Sequence, residues 1–309
     1  MLSEGGLGAK VINTHRLSQF ETYGRVHAIL CSNPEILIDL EKAVLERIVG
    51  LIETDLPAIC ADYDEASYLY PFWQQYQPAN RGRGPKGDQM PWIEVGEHAV
   101  GERFSRLLTK EFDVRNPGTP IGSDNRCLIS STLISTVTQS LTSSVFLSVD
   151  TKSAGPRDNY PHIVVSPNQV SGDGVWAIAE TGIVNSPTEA VGSRRRHSFQ
   201  PTLPPLYVLA DQTIAPVVTL AVRERYLMVP TGGQPLHQID VICIPNGLLT
   251  FVNPGYKQQH PDLLFPGKDD KGKNPLKMRA RVSFERLKAI AGWRVQVVRT
   301  SSALGATAE

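Results

Sequence analysis

The sequence predicts an α/β fold in which a mixed β-sheet is flanked by helices, and three observations lead there. Amphipathic helical segments occupy the early part of the chain, strand-like runs broken by Pro and Gly follow from about residue 143, and no internal repeat or low-complexity tract intervenes. The 309 residues, 41% hydrophobic and 20% charged, suffice for a sizeable core. They read as a single domain over residues 1–309, the first sixty mainly helical.

NPEILIDLEKAVLERIVGLI opens on Asn33 as a cap, Pro34 at the first helical position and Glu35 at the positive helix end. Leu37, Leu40, Val44, Ile48 and Leu51 form its apolar stripe, and its acidic outer face is expected to be solvated. A second helix begins near Pro91 in PWIEVGEHAVGERFSRLLTKEF, with Ile93, Val100, Phe104, Leu107 and Leu108 facing inward. Glu97 falls on that inward face, where an acid needs a cation, a donor or a metal. A Glu reaching past the stripe, or meeting a buried Arg, is the blander alternative. The strands expected next are SVFLSVDTK, HIVVSP, PLYVLA, APVVTLAVRERYLM, QIDVICIP and RARVSF.

The remaining composition narrows the function classes. No apolar run approaches the length of a bilayer helix and the amino terminus has no hydrophobic signal core, so an intracellular, cytoplasmic protein is expected. Cys31, Cys60, Cys127 and Cys243 are too scattered for a zinc or thioredoxin motif, and neither a phosphate-binding GxxxxGK[ST] loop nor a GxSxG elbow occurs. A net charge of zero argues against a protein that coats nucleic acid by bulk attraction. Locally the charge divides: residues 34–66 carry nine acids against Lys42 and Arg47, whereas basic clusters stand at 81–87, 193–197 and 268–281. Such clusters suit a ligand with phosphates, although solvated loops are the commoner reading of any one of them.

The stretch FLSVDTKSAGPRD carries the candidate chemistry. Strand alternation puts Phe146, Ser148, Asp150 and Lys152 on one side and Val145, Leu147, Val149 and Thr151 on the other, so one face is core while the other ends in opposite charges. Alone, the pair reads as a solvated strand-end ion pair of little worth. Asp124, in the turn-like stretch GTPIGSDNRC 26 residues before Asp150, raises its standing. An acid, a gap, then acid, any residue and lysine is the signature of the PD-(D/E)xK nucleases. Two carboxylates can hold Mg²⁺ through oxygen ligands, and a lysine beside them can orient water and offset charge at phosphorus. Ser123 stands where that signature has proline, which bears on the local turn rather than on the chemistry.

Longer stretches are more specific. DYDEASYLYPFW, PKGDQMPWIEVGEHAVG, SVDTKSAGPRDNY, SPNQVSGDG, LPPLYVLADQTIAPVV, PNGLLTFVNPGY and PGKDDKGKNPLKMRARV resemble, in order from about residue 62 to 297, the BglI family of type II restriction endonucleases. RVSFERLKAIAGWRVQ is distantly similar to SfiI. The resemblance implies a restriction-endonuclease-like core, with Asp124, Asp150 and Lys152 as the catalytic and metal-binding set, Asp124 and Asp150 holding Mg²⁺, and Glu97 as an additional helical acid. It further implies that Lys268, Asp270, Arg279 and Arg281 contact bases of an interrupted site, GCC, five unspecified base pairs, then GGC. A homodimer on double-stranded DNA would leave 5′-phosphates and 3′ extensions, and a DNA methyltransferase would be its genetic partner in a bacterial cytoplasm. The residues agree with a G·C target: Arg279, Arg281 and Ser283 alternate with Ala280, Val282 and Phe284, and paired guanidinium groups can read guanine. Two rival readings stay open on sequence: a structure-specific nuclease of the same fold, and a DNA-binding protein without catalysis.

Overall fold

The structure, a computed structural model, describes residues 5–73, 101–116, 118, 125–155, 158, 161–176, 182–194, 196–227, 235–267 and 278–300. Two long helices come first, α1 (Gly5–Ser32) and α2 (Glu35–Trp73). They join at Asn33, whose side-chain amide donates to the Ile29 carbonyl of α1. After α3 (Gly101–Leu108) the chain runs through β1 (Asp113–Arg115), β2 (Asn125–Ser130), α4 (Thr132–Val137), β3 (Ser144–Ala154) and β4 (His162–Val165). Two short hairpins, β5 (Val175–Trp176) with β6 (Ile183–Val184) and β7 (Thr188–Val191) with β8 (Arg196–Phe199), precede β9 (Leu206–Val208), β10 (Ile214–Tyr226) and β11 (Leu236–Ile244). Helix α5 (Pro254–Gln259), β12 (Leu264–Pro266), β13 (Ala280–Ser283), α6 (Phe284–Ile290) and β14 (Val295–Arg299) follow.

The helical stripe extends further than its pattern suggested. Leu37, Leu40, Val44 and Ile48 are buried as expected, and the stripe continues through Ile52, Ile59 and Tyr63. Pro57 sits inside α2, where a missing N–H and a ring clash normally end a helix, so burial of this face overrides local propensity. The acidic side of α2 is not simply solvated. Glu41 is wholly buried, and Asp55 and Asp62 receive Arg103 of α3, which makes bonds of 2.7 and 2.8 Å to Asp62 and 3.0 Å to Asp55. That two-pronged grip fixes α3 across α2.

The main sheet has the order β1-β2-β3-β10-β11-β14, with β9 added on β10. Among the described residues of this sheet only the central pair β3 and β10 is parallel; its neighbours are antiparallel, so the expected mixed sheet is found. Val145, Leu147 and Val149 of β3, with Val218, Leu220 and Val222 of β10, pack beneath α2 in the largest core cluster. Burying side chains of this size contributes about 1.5–3 kcal/mol each. The opposite face carries Phe146, Ser148, Asp150 and Lys152, in register with Val217, Thr219, Ala221 and Arg223. A second sheet, β12-β13-β4, shares a core with Ala221, Ile242 and Ile244 of that face. Both faces of β3 are therefore covered, the one that ends in opposite charges as well as the core face. The stretch read as turn-like up to Cys127 is strand from Asn125 onward, because β2 completes the ladder on β3. Among the described residues no helix is long and apolar enough to cross a membrane.

Candidate active site

β3 carries Asp150 into the molecule. The residue is only 4% exposed, so the solvated strand-end reading of the pair with Lys152 does not hold. Lys152 Nζ lies 2.7 Å from Asp150 Oδ2, and Gln169 Nε2 donates to Oδ1 at 2.5 Å. Gln169 ends a short 3-10 turn, Pro167–Gln169, that Ser166 caps and Pro167 opens with a preset φ. The Gln169 side-chain carbonyl accepts from the Ser166 N–H at 2.8 Å, so the amide orientation is determined from both ends. Lys152 keeps 35% of its side-chain surface in contact with solvent.

Neighbouring strands frame this pair. Arg223 of β10 stands opposite Lys152 and directs its charge to Asp240 of β11, donating from Nε at 3.0 Å and also from Nη2. Its Nη1 donates to the His162 carbonyl at 3.2 Å, and the guanidinium lies over the Phe284 ring. On the other side, Asn125 of β2 pairs with Val149. Its side chain receives Ser105 Oγ of α3 at 2.7 Å, and a Cβ on Gly101 would lie 3.9 Å from Thr151 Oγ1. The start of α3 is thus held against β3 on its Thr151 face, opposite the Asp150 side chain.

The smaller sheet presents the basic strand. Ala280 and Val282 of β13 are fully buried, while Arg281 and Ser283 are half-buried, so the expected alternation is found. Gly267 donates its N–H to the Arg279 carbonyl at 2.9 Å, and a Cβ there would come within 2.6 Å of that oxygen; only glycine permits this approach. Arg281 pairs with Val164 of β4, two residues from His162. Desolvation, then the charges of Arg281 and Arg223, hold the His162 imidazole below its ordinary pKa.

Residues 18–298 match the family described as restriction endonuclease BglI. Over 294 residues the chain is 45% identical to the type II restriction enzyme BglI of Bacillus subtilis, spanning 93% of this chain and 98% of that protein. The chain belongs to the BglI family of type II restriction endonucleases. The crystal structure of BglI bound to its DNA recognition sequence superposes with a TM-score of 0.86 at 43% identity, covering 93% of this chain and 98% of the other. Tetrameric SfiI bound to cognate DNA gives a TM-score of 0.56 at 17% identity, with 86% and 85% covered, and shares the fold. The family match begins at residue 18, inside α1, well before the motifs quoted from residue 62 onward. BglI-family membership makes the chain a DNA-binding nuclease and sets aside the catalytically inactive reading and the structure-specific one.

Of the residues singled out from sequence, the structure brings Asp150 and Lys152 together, sets Arg281 on the second sheet and places Arg279 just before its strand. Asp124, Glu97, Lys268 and Asp270 lie outside the described residues. Among the described residues no group of three or more His, Cys, Asp and Glu could hold a metal ion. Gln169 was missed: a neutral residue in a Pro-Asn-Gln turn carries no periodic or charge signal, and only the fold brings it to Asp150.

Proposed function

We propose that this restriction enzyme uses Mg²⁺ held by Asp150 and Asp124, with Lys152 beside them, to hydrolyse both strands of GCCNNNNNGGC as a homodimer. The observation that carries the reading is the Asp150 carboxylate, buried toward the end of the central strand and gripped by Lys152 and Gln169. The donors fit a hard cation, since a carboxylate with restricted rotation presents its oxygens in a fixed direction. Asp124 supports a second oxygen donor because its chain neighbour Asn125 pairs with Val149, the neighbour of Asp150. Glu97 is taken as a further acid, four residues before Gly101, which meets Asn125 through its carbonyl.

When bound, the cation supplies Lewis-acid stabilisation of the phosphate and lowers the pKa of a nearby water. The protein's own groups do the positioning. Lys152 Nζ, with one face on Asp150 and another toward solvent, can donate to the attacking water and to an oxygen of the phosphate as charge builds. Attack by water at phosphorus breaks the bond to the 3′ oxygen, which departs as a 3′-hydroxyl while the phosphate stays on the 5′ side. Arg279 and Arg281, with Lys268 and Asp270, read one half-site, guanidinium groups on guanine and carboxylate on cytosine. Two copies related by a two-fold axis match the two-fold symmetry of the target, each cutting one strand. The enzyme acts in the bacterial cytoplasm, where a DNA methyltransferase of the same specificity protects the host sites.

End sequencing of digested DNA, with Mg²⁺ and then with EDTA, tests the reading. Cleavage only with Mg²⁺, at GCCNNNNNGGC, and its loss in Asp150→Asn are expected. Ends mapping to another sequence would overturn the target, and wild-type cutting by Asp150→Asn would overturn the site.

A further inference from the structure

A run of hydrogen bonds joins the carboxylate of Asp150 to the segment that carries Arg279 and Arg281, and Gln169 stands at its centre. Gln169 Nε2 donates to Asp150 Oδ1 at 2.5 Å, and its Oε1 accepts from the backbone N–H of Ser166 at 2.8 Å. Ser166 directly follows Val165, the last residue of β4, and Val165 pairs with Ala280 of β13. Arg279 and Arg281 flank Ala280 in the sequence, and Arg281 pairs with Val164. The turn itself is anchored, because Gln169 N donates to Ser166 O at 3.0 Å and Thr202 N donates to Pro167 O at 2.9 Å. Ser166 and Gln169 are buried, at 8% and 9% exposure, so solvent has little access to replace either bond.

The chemistry of position 169 is restrictive. An ionised carboxylate only accepts and a backbone N–H only donates, so the group between them must offer a donor to one and an acceptor to the other. A side-chain amide does both in one orientation; a carboxylate or a thioether does not. We propose that Gln169 is a positioning residue that couples base readout at Arg279 and Arg281 to the orientation of Asp150. This role rests on the functional reading given above. Strands paired by backbone hydrogen bonds move together, so a displacement of β13 on the bases passes to β4, to the Ser166 amide, and through Gln169 to the carboxylate. A correct half-site keeps Oδ1 at the rotation that serves the reaction, and a wrong one turns it away.

The test compares the duplex sequence found by end mapping with the same duplex after one G·C pair is changed. Gln169→Met keeps the length of the side chain and removes both bonds. Gln169→Glu keeps the acceptor for Ser166 and replaces only the donor facing Asp150. Single-turnover cleavage in Mg²⁺ and equilibrium binding in Ca²⁺ are measured for each, with thermal melting as the check on folding. The expected result is that both variants bind the cognate duplex as the parent does but cut it about tenfold or more slowly. The altered duplex should be slowed less, so that the preference between the two contracts. Equal slowing on both duplexes would reduce Gln169 to a simple prop for Asp150 and overturn the coupling, as would wild-type rates. Should Gln169→Met fail to fold, Gln169→Glu, which preserves the turn, decides the matter by the same ratio. Asp150→Asn separates the two levels: full activity there removes the site and the coupling together, whereas an inactive Asp150→Asn with unchanged preference in the Gln169 variants removes the coupling alone.

Discussion

Two ion pairs of nearly the same length do different work in this molecule. Arg294 and Glu41 meet at 2.8 Å with both side chains wholly buried, whereas Lys152 and Asp150 meet at 2.7 Å with 35% of the lysine side chain exposed. The first pair is enclosed by protein: Glu41 Oε1 accepts from the Asn246 N–H, and the Arg294 guanidinium lies over the Trp293 ring and reaches Tyr256 and Cys243. Burial pushes the Glu41 carboxyl up, and Arg294 opposes that shift by its charge. This pair fastens α2 to the turn before β14 and leaves no approach for a substrate. The second pair buries its acid and leaves its base partly exposed, which suits the role proposed for Lys152 in meeting water and phosphate. On the proposed reading, the exposure of one partner rather than the separation sets the pair assigned to chemistry apart from the pair that fastens the fold.

That contrast can be broken at either end. The largest expected effect is on stability: Glu41→Ala leaves Arg294 charged and uncompensated in the core, and should cost about 3–5 kcal/mol in denaturant unfolding while the folded fraction still cuts DNA. Lys152→Ala should do the reverse, slowing single-turnover cleavage by about 10²–10³-fold with the melting temperature and the Ca²⁺-supported binding of DNA retained. Arg279→Ala should weaken discrimination at one G·C position by about 1–3 kcal/mol in competition binding, with little change on DNA altered at that position. The smallest effect concerns pH. Because His162 is held below its ordinary pKa, the unfolded chain takes up its proton first as pH falls. Stability present above the usual imidazole range should therefore decline as pH drops through that range toward the lower folded value, and His162→Gln should flatten this part of the melting-temperature profile.

The central strands were legible because apolar runs bounded by Pro and Gly have few alternatives: SVFLSVDTK and APVVTLAVRERYLM correspond closely to Ser144–Ala154 and Ile214–Tyr226. β14 was not read as a strand, since Val295–Arg299, with Val297 and Val298 adjacent, breaks the polar and apolar alternation, and the segment gains its pairing from β11. Strand order was beyond reach for a related reason, as the parallel pairing of β3 with β10 joins segments that have β4, two hairpins and β9 between them in the chain. Glu41 could have been found. It lies four residues after Leu37 and three before Val44, on the buried stripe, by the same spacing that drew attention to Glu97. Asp150 and Lys152 were legible as a motif, but their grip by Gln169 was not, because that contact crosses from the main sheet to the turn after β4.

The most direct measurement is anomalous diffraction from crystals of the enzyme with its cognate duplex soaked in Mn²⁺, a surrogate for Mg²⁺. A peak at coordination distance from a carboxylate oxygen of Asp150, shared with Asp124 and beside the scissile phosphate, is the expected result. A peak bound elsewhere, with Asp150 still holding only Lys152 and Gln169, would contradict the assignment of this carboxylate as the ligand that brings the cation to the DNA.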